Sequence, residues 1–228
     1  MDKQEYKTIE TYMLSCMTDA AHDPQHIYRV LYLALDIARF EQEVDLDILI
    51  AACLLHDIGR DEQFKDKGKD HAKVGAHMAY DYLTSIGWGE DRARHVADCV
   101  RAHRFRGKGQ HQSMESTILY DADKLDATGA LGIARTLIYQ GQEDQPLYHV
   151  DGSHQLIYGE GDTRDSFFHE YLFKLRHVES RLNTTRARDI AAGRREAAEN
   201  FAQALKNEVQ DAHQQGALLL ASALRKFD

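Results

Sequence analysis

Two prolines in 228 residues, Pro24 and Pro146, leave nearly the whole chain without the one residue that breaks a helix outright. The tracts around them are rich in Ala, Leu, Glu, Arg and Gln, which favour helix, so an all-α fold is expected. A hydrophobic share of 43% is enough for one good core and excludes a disordered or fibrous chain. No stretch reads as a linker, and the length suits one domain spanning residues 1–228. Lys+Arg 28 against Asp+Glu 37 gives a net charge of −9. No general attraction to duplex nucleic acid or an anionic membrane follows, and an anionic ligand needs a local positive site. Cys16, Cys53 and Cys99 are far apart and form no C-x-x-C pair, which suits a reducing compartment. The first ten residues are charged and no apolar run reaches about 18 residues, so neither a signal peptide nor a membrane span is read. The expected location is cytoplasmic.

The pattern predicts a helix over 3–18, then a second over 24–40 with Asp23 as N-cap and Pro24 in the first turn. His26 heads the stripe Val30, Leu33, Ile37 and points inward with it. Asp45 caps a helix over 46–57 that is apolar nearly all round and therefore central, with His56 and Asp57 at its end and Gly59 as its stop. Residues 60–69 read as a charged loop. Asp70 caps a helix over 71–86 that opens on His71, and a helix over 90–103 ends at His103. One long helix is predicted over 115–139. The Gly-containing segment 141–162 reads as irregular: a loop, a short hairpin or a lid. Helices over 163–180 and 185–227 complete the chain, the second with Gly193 and Gly216 as its weak points. Its end, with Ala217, Leu218, Leu219, Leu220 and Leu224, either closes the core or makes a homodimer contact.

Histidine is the compositional outlier, at 13 residues. His26, His56 with Asp57, His71, His103 and Asp123 all stand at helix ends or on inward stripes, where buried polar groups need partners. Converging from several helices, they either hydrogen-bond to one another or bind a transition metal, for which mixed nitrogen and oxygen ligands are suited. The dipeptide His-Asp carries no weight alone, since chance gives it about once in such a chain and it occurs at His22-Asp23 and His56-Asp57. Order and context carry more.

His26, then His56-Asp57 closing a buried helix, then Asp123 in D-A-D-K-L-D-A-T-G-A, resembles the HD-domain superfamily of metal-dependent phosphohydrolases. More narrowly, A-H-D-P-Q-H-I-Y-R-V, C-L-L-H-D-I-G, V-R-A-H-R-F and F-F-H-E-Y-L-F-K-L resemble a bacterial group of such hydrolases, over about residues 20–205. The resemblance implies a single-domain helical bundle with a central metal site, its metal-binding core about 20–140 and the C-terminal helices about 163–227 packing on it. It implies that His26, His56, Asp57 and Asp123 bind one divalent transition metal, Mn, Fe, Co, Ni or Zn. Asp123 is preferred to Asp121 because A-D-K-L-D matches the superfamily's last ligand. His71 and His103 fall where binuclear members place further histidines, so they either ligate a second ion or serve the substrate phosphate and the leaving group.

Basic residues cluster beside these positions. Arg60, Lys65, Lys67, Lys69 and Lys73 flank the 56–71 stretch, and Arg101, Arg104, Arg106 and Lys108 surround His103. Such a rim suits a phosphate-bearing substrate. Arg104, Arg106, Lys73 and Lys124 are the candidate phosphate contacts, and Asp57, His71 and His103 the candidate catalytic groups. The implied reaction is metal-dependent hydrolysis of a nucleotide or another small phosphorylated metabolite. Three other readings stand beside it: a di-iron HD-type oxygenase, a non-catalytic metal- or nucleotide-sensing module, and a purely structural bundle whose histidines bond to carboxylates. Asp121 and Asp126, on the same helix as Asp123, either orient ligands or form helix salt links.

Overall fold

The structure is a computed structural model that describes residues 1–17, 24–66, 68–104, 112–159 and 161–224, and of residues 63–65 the backbone alone. Helix α1 (Lys3–Ser15) opens on Asp2, whose carboxylate accepts from the Glu5 amide. Helix α2 (Pro24–Ala38) starts on its proline, whose missing N–H costs nothing in a first turn; the expected cap Asp23 lies outside the described residues. Helix α3 (Leu46–Leu55) is capped by Asp45, which accepts from the amides of Asp47 and Ile48, and is buried almost all round. Helices α5 (His71–Ser85), capped by Asp70, and α6 (Glu90–Ala102) follow the sequence reading closely.

The structure differs from that reading at two places near the site. The segment read as a charged loop begins with a short helix, α4 (Arg60–Lys65). Asp61 and Glu62 in its first turn are the charges that a helix N-terminus favours. The single helix read over 115–139 is two, α7 (Met114–Leu125) and α8 (Gly129–Gln142). Thr128 is extended and Gly129 has φ +67°, a left-handed conformation in which a helix cannot run on. A Cβ at Gly132 would collide with the backbone of Ala127, so the second helix starts tightly against the turn.

Beyond α8, the irregular segment holds a two-residue-per-strand hairpin, β1 (His149–Val150) antiparallel to β2 (Leu156–Ile157). Helix α9 (Phe167–Phe173) is shorter than predicted because Lys174 leaves helical geometry; two 3-10 turns, Leu175–His177 and Glu179–Arg181, follow. Helix α10 (Thr185–Leu224) runs unbroken for 40 residues through both Gly193 and Gly216. Leu218 and Leu224 near its end are 74% and 62% exposed, so the leucines there do not close the core. Among the described residues no helix is long and apolar enough to cross a membrane.

The chain divides into two compact units. The first, Met1–Asp126 with Leu182–Arg188, carries the candidate site. Its core is the apolar wall of α3 (Leu49, Leu54, Leu55) with Val30 and Ile37 of α2, Val96 and Val100 of α6 and Ile118 of α7. Asp121 on α7 ties the 182–188 stretch into this unit: fully buried, it accepts from the amides of Asn183 and Thr184, the Asn183 side chain and the Thr184 hydroxyl. The second unit, Ala127–Arg181 with Asp189 onward, has its own core of Ile133, Phe167, Phe168, Tyr171, Leu172 and Ala202, against which Tyr148, Leu156 and Tyr158 pack.

Candidate metal centre

Helix ends place the site. His56 is the C-cap of α3 and His103 the C-cap of α6, and each ring reaches back three residues to a carbonyl that the helix end leaves open. His56 Nδ1 donates to the Cys53 carbonyl at 2.8 Å and His103 Nδ1 to the Val100 carbonyl at 2.6 Å. Because a carbonyl can only accept, both rings carry their proton on Nδ1 and turn the Nε2 lone pair to the interior. His26, in the first turn of α2, places Nδ1 2.7 Å from Asp126 Oδ2. His71, the first residue of α5, comes close because two glycines let the backbones meet. A Cβ at Gly59 would strike the His71 carbonyl oxygen and lie 2.5 Å from the Gly75 amide nitrogen.

All these rings converge on Asp57. Its Oδ2 is 3.6 Å from both His26 Nε2 and His56 Nε2, while its Oδ1 is 3.5 Å from both His71 Nε2 and His103 Nε2. The two Nε2 atoms of His26 and His56 face each other at 3.4 Å, and Asp123 Oδ1 is 3.5 Å from that of His26. Two groups result, His26/His56/Asp123 and Asp57/His71/His103, each with ligand atoms within 4.8 Å of one another. The sequence-derived set His26, His56, Asp57 and Asp123 is therefore brought together, with Asp57 between the two groups. Asp121 is not part of it, its oxygens being committed to residues 183 and 184.

The donor atoms fit a divalent transition ion. Asp57 Oδ1 and His103 Nε2 are buried without a hydrogen-bond partner among the described residues, a costly arrangement unless something cationic lies between them. Imidazole with carboxylate suits Mn, Fe, Co, Ni or Zn better than the all-oxygen preference of Mg. Burial disfavours a charged His26, but Asp123, Asp126 and Asp57 outweigh it and hold its pKa up at about 10. Burial lowers that of His56 to about 4, and burial with the Arg60 charge lowers that of His71 to about 3, so both rings are neutral near pH 7. Asp57 and Asp123 stay well below the usual carboxylate range: burial opposes this, and Arg60 and Lys124, respectively, lead the charges that overcome it.

Cations reach the centre from its edge. Arg60 Nε donates to Asp57 Oδ2 at 2.6 Å, and Lys124 Nζ donates to Asp123 Oδ2 at 2.7 Å. Arg104 lies 3.4 Å from His71 Nδ1 and 3.6 Å from Asp70. Lys73 is exposed two residues after His71, about 200° round the helix, and is not brought to the cluster. Arg106, Lys67 and Lys108, with the Lys65 side chain, lie outside the described residues, as do His22 and His111. Elsewhere His95 pairs with Glu115 and His213 with Tyr148. Sequence reasoning missed Arg29, which donates from Nε and Nη2 to the two oxygens of Asp126 at 2.8 and 3.1 Å. Its signal was the one-turn spacing from His26.

Comparison with known proteins identifies this arrangement. The HD-domain family model matches residues 25–128. YpgQ of Bacillus subtilis is 31% identical over 212 residues, 90% of this chain and 94% of that protein. The chain belongs to the HD-domain superfamily. Among solved structures, YpgQ in complex with ADP is similar to this HD-domain protein with a TM-score of 0.66 and 28% identity, covering 89% of this chain and 97% of the other. An HD-superfamily hydrolase of Bacillus thuringiensis has a TM-score of 0.68 and 27% identity, covering 90% and 97%. A predicted HD superfamily hydrolase of an uncultured Thermotogales bacterium has 0.61 and 28%, covering 91% and 99%. This HD-domain chain groups with the superfamily's hydrolases, and its His/Asp cluster could hold the divalent metal that HD domains bind.

Proposed function

We propose that this HD-domain protein is a metal-dependent phosphohydrolase acting on a nucleotide or another small phosphorylated metabolite. The observation that carries the proposal is the buried cluster of imidazole and carboxylate groups bordered by Arg60, Lys124 and Arg104. His26, His56, Asp57 and Asp123 would hold a divalent ion, which supplies a water of lowered pKa and neutralises charge on phosphoryl oxygens. Asp57, ionised at neutral pH and sited between the histidines, would orient that water by accepting a hydrogen bond from it. The guanidinium groups of Arg60 and Arg104 and the ammonium of Lys124 take the remaining phosphate oxygens. His103, whose Nε2 lone pair faces Asp57 Oδ1, would ligate a second ion, and His71, whose Nδ1 accepts from Arg104, would either join it or hydrogen-bond the leaving oxygen through Nε2.

The ADP bound to YpgQ supports a nucleotide as the ligand class. A cytoplasmic location, where nucleotide pools meet reduced thiols, belongs to the same reading. A screen of nucleotides and phosphorylated metabolites tests it, run with protein loaded with Mn, Co, Ni or Zn. Release of phosphate or pyrophosphate, lost in His56→Ala and Asp123→Ala, is the expected result. Intact metal binding without turnover of any phosphate compound would favour the sensing module, and metal-dependent O2 consumption the oxygenase.

A further inference from the structure

His26 is supported differently from His56 and His103. His56 and His103 stand at helix C-termini, so the carbonyl three residues back is within the helix and free to accept. A histidine in a first turn has no such carbonyl behind it within its own helix, and its Nδ1–H must be met from elsewhere. Here Asp126 meets it, fully buried, at 2.7 Å. The same carboxylate accepts two bonds from Arg29. Two one-turn pairs are thereby interlocked: His26 and Arg29 on α2, Asp123 and Asp126 at the end of α7. His26 Nε2 faces Asp123 and its Nδ1 faces Asp126, so one turn of α7 grips both nitrogens of the ring.

We infer that Arg29 and Asp126 are positioning residues for the metal centre, a paired charge that fixes the tautomer and the ring orientation of His26. The proposal rests on the reading of His26 as a metal ligand. A carboxylate behind a ligating imidazole fixes which nitrogen carries the proton and raises the basicity of the other. Left alone, that carboxylate would add a third negative charge to a centre that already holds Asp57 and Asp123. The Arg29 guanidinium offsets this charge and, by its bidentate fork, prevents Asp126 from rotating toward the ion.

The test is a Co(II) titration of the metal-depleted protein followed by the visible d–d absorption, with the folded fraction of each variant fixed by circular dichroism. The expected result is a dissociation constant raised about 10- to 100-fold in Asp126→Ala. Removing a buried carboxylate beside Arg29 strains the fold, so Asp126→Asn, of equal volume, and Arg29→Met are the deciding variants. Asp126→Asn should lose less than Asp126→Ala, because an amide oxygen still accepts from Nδ1, and Arg29→Met should weaken binding several-fold with a shifted absorption band. Wild-type affinity and spectrum in folded Asp126→Asn and Arg29→Met, alongside a His26→Ala variant that binds poorly, would overturn the inference alone. Wild-type affinity in His26→Ala would overturn the ligand assignment and the inference with it.

Discussion

Divalent-metal binding to this protein should release one proton at neutral pH, and His26 should be its source. Without an ion, the contacts of His26 with Asp123, Asp126 and Asp57 outweigh its burial and hold its pKa at about 10, so at pH 7 the ring carries protons on both nitrogens. The other candidate ligands have no proton to lose there: His56 titrates near 4, and Asp57 and Asp123 lie below the normal carboxylate range. An ion bound through His26 Nε2 must displace the proton on that atom, while Nδ1 keeps its own against Asp126. Affinity should then rise about tenfold per pH unit below pH 10, or about 100-fold between pH 6 and pH 8. Isothermal titration calorimetry with Co(II) at pH 7, in buffers of different ionisation enthalpy, reads the proton number as a slope. A slope near one is expected in the wild type. A slope of zero in the wild type, with affinity flat from pH 6 to 8, would refute the reasoning.

The same shift makes a stability prediction of definite sign. A pKa raised above the unfolded value of 6.5 stabilises the metal-free protein fully below about pH 6.5, and this is lost as pH rises toward 10, so the metal-free Tm should fall between pH 7 and 10 while His26→Gln removes that part of the slope. Asp121→Ala should lose stability rather than metal: leaving the amides of residues 183 and 184 without their carboxylate should cost about 3 kcal/mol or more by urea unfolding, with the folded protein binding Co(II) as before. Gly59→Ala should fail differently, since its Cβ would press the start of α5 away from Asp57; a loss of about 1–3 kcal/mol together with altered kinetics at the His71 side is expected, whereas Gly87→Asn, whose φ of +95° only tightens a turn with open space around it, should leave turnover unchanged.

Much of the architecture was legible because helix ends announce themselves chemically. Asp45 and Asp70 cap where their side chains can accept from the next turn, and His56 and His103 end helices where a ring can reach back to an open carbonyl. The break between α7 and α8 was not legible, because the residues around Thr128 and Gly129 do not forbid helix; the turn is set by the tertiary commitment of Asp126 to His26 and Arg29 and by the left-handed Gly129. Linear proximity also misleads on a helix. Lys73 is two residues from His71 yet faces away, while Lys124 and Arg60, one and three residues from a carboxylate of the cluster, fold back onto it. Sequence order alone did not separate Asp121 from Asp123, since both are acidic and on one helix. Their surroundings do, one meeting the amides of 183 and 184 and the other an imidazole nitrogen.

The central claim is that side chains from α2, α3 and α7 share an ion. A crystal structure of the protein grown with Mn(II) or Co(II), with anomalous diffraction collected at the metal edge, tests it most directly. The account predicts an anomalous peak within about 2.0–2.3 Å of His26 Nε2, His56 Nε2 and an oxygen of Asp123. A peak bound only elsewhere, with His26 and His56 hydrogen-bonded to each other or to Asp57 instead, would contradict it.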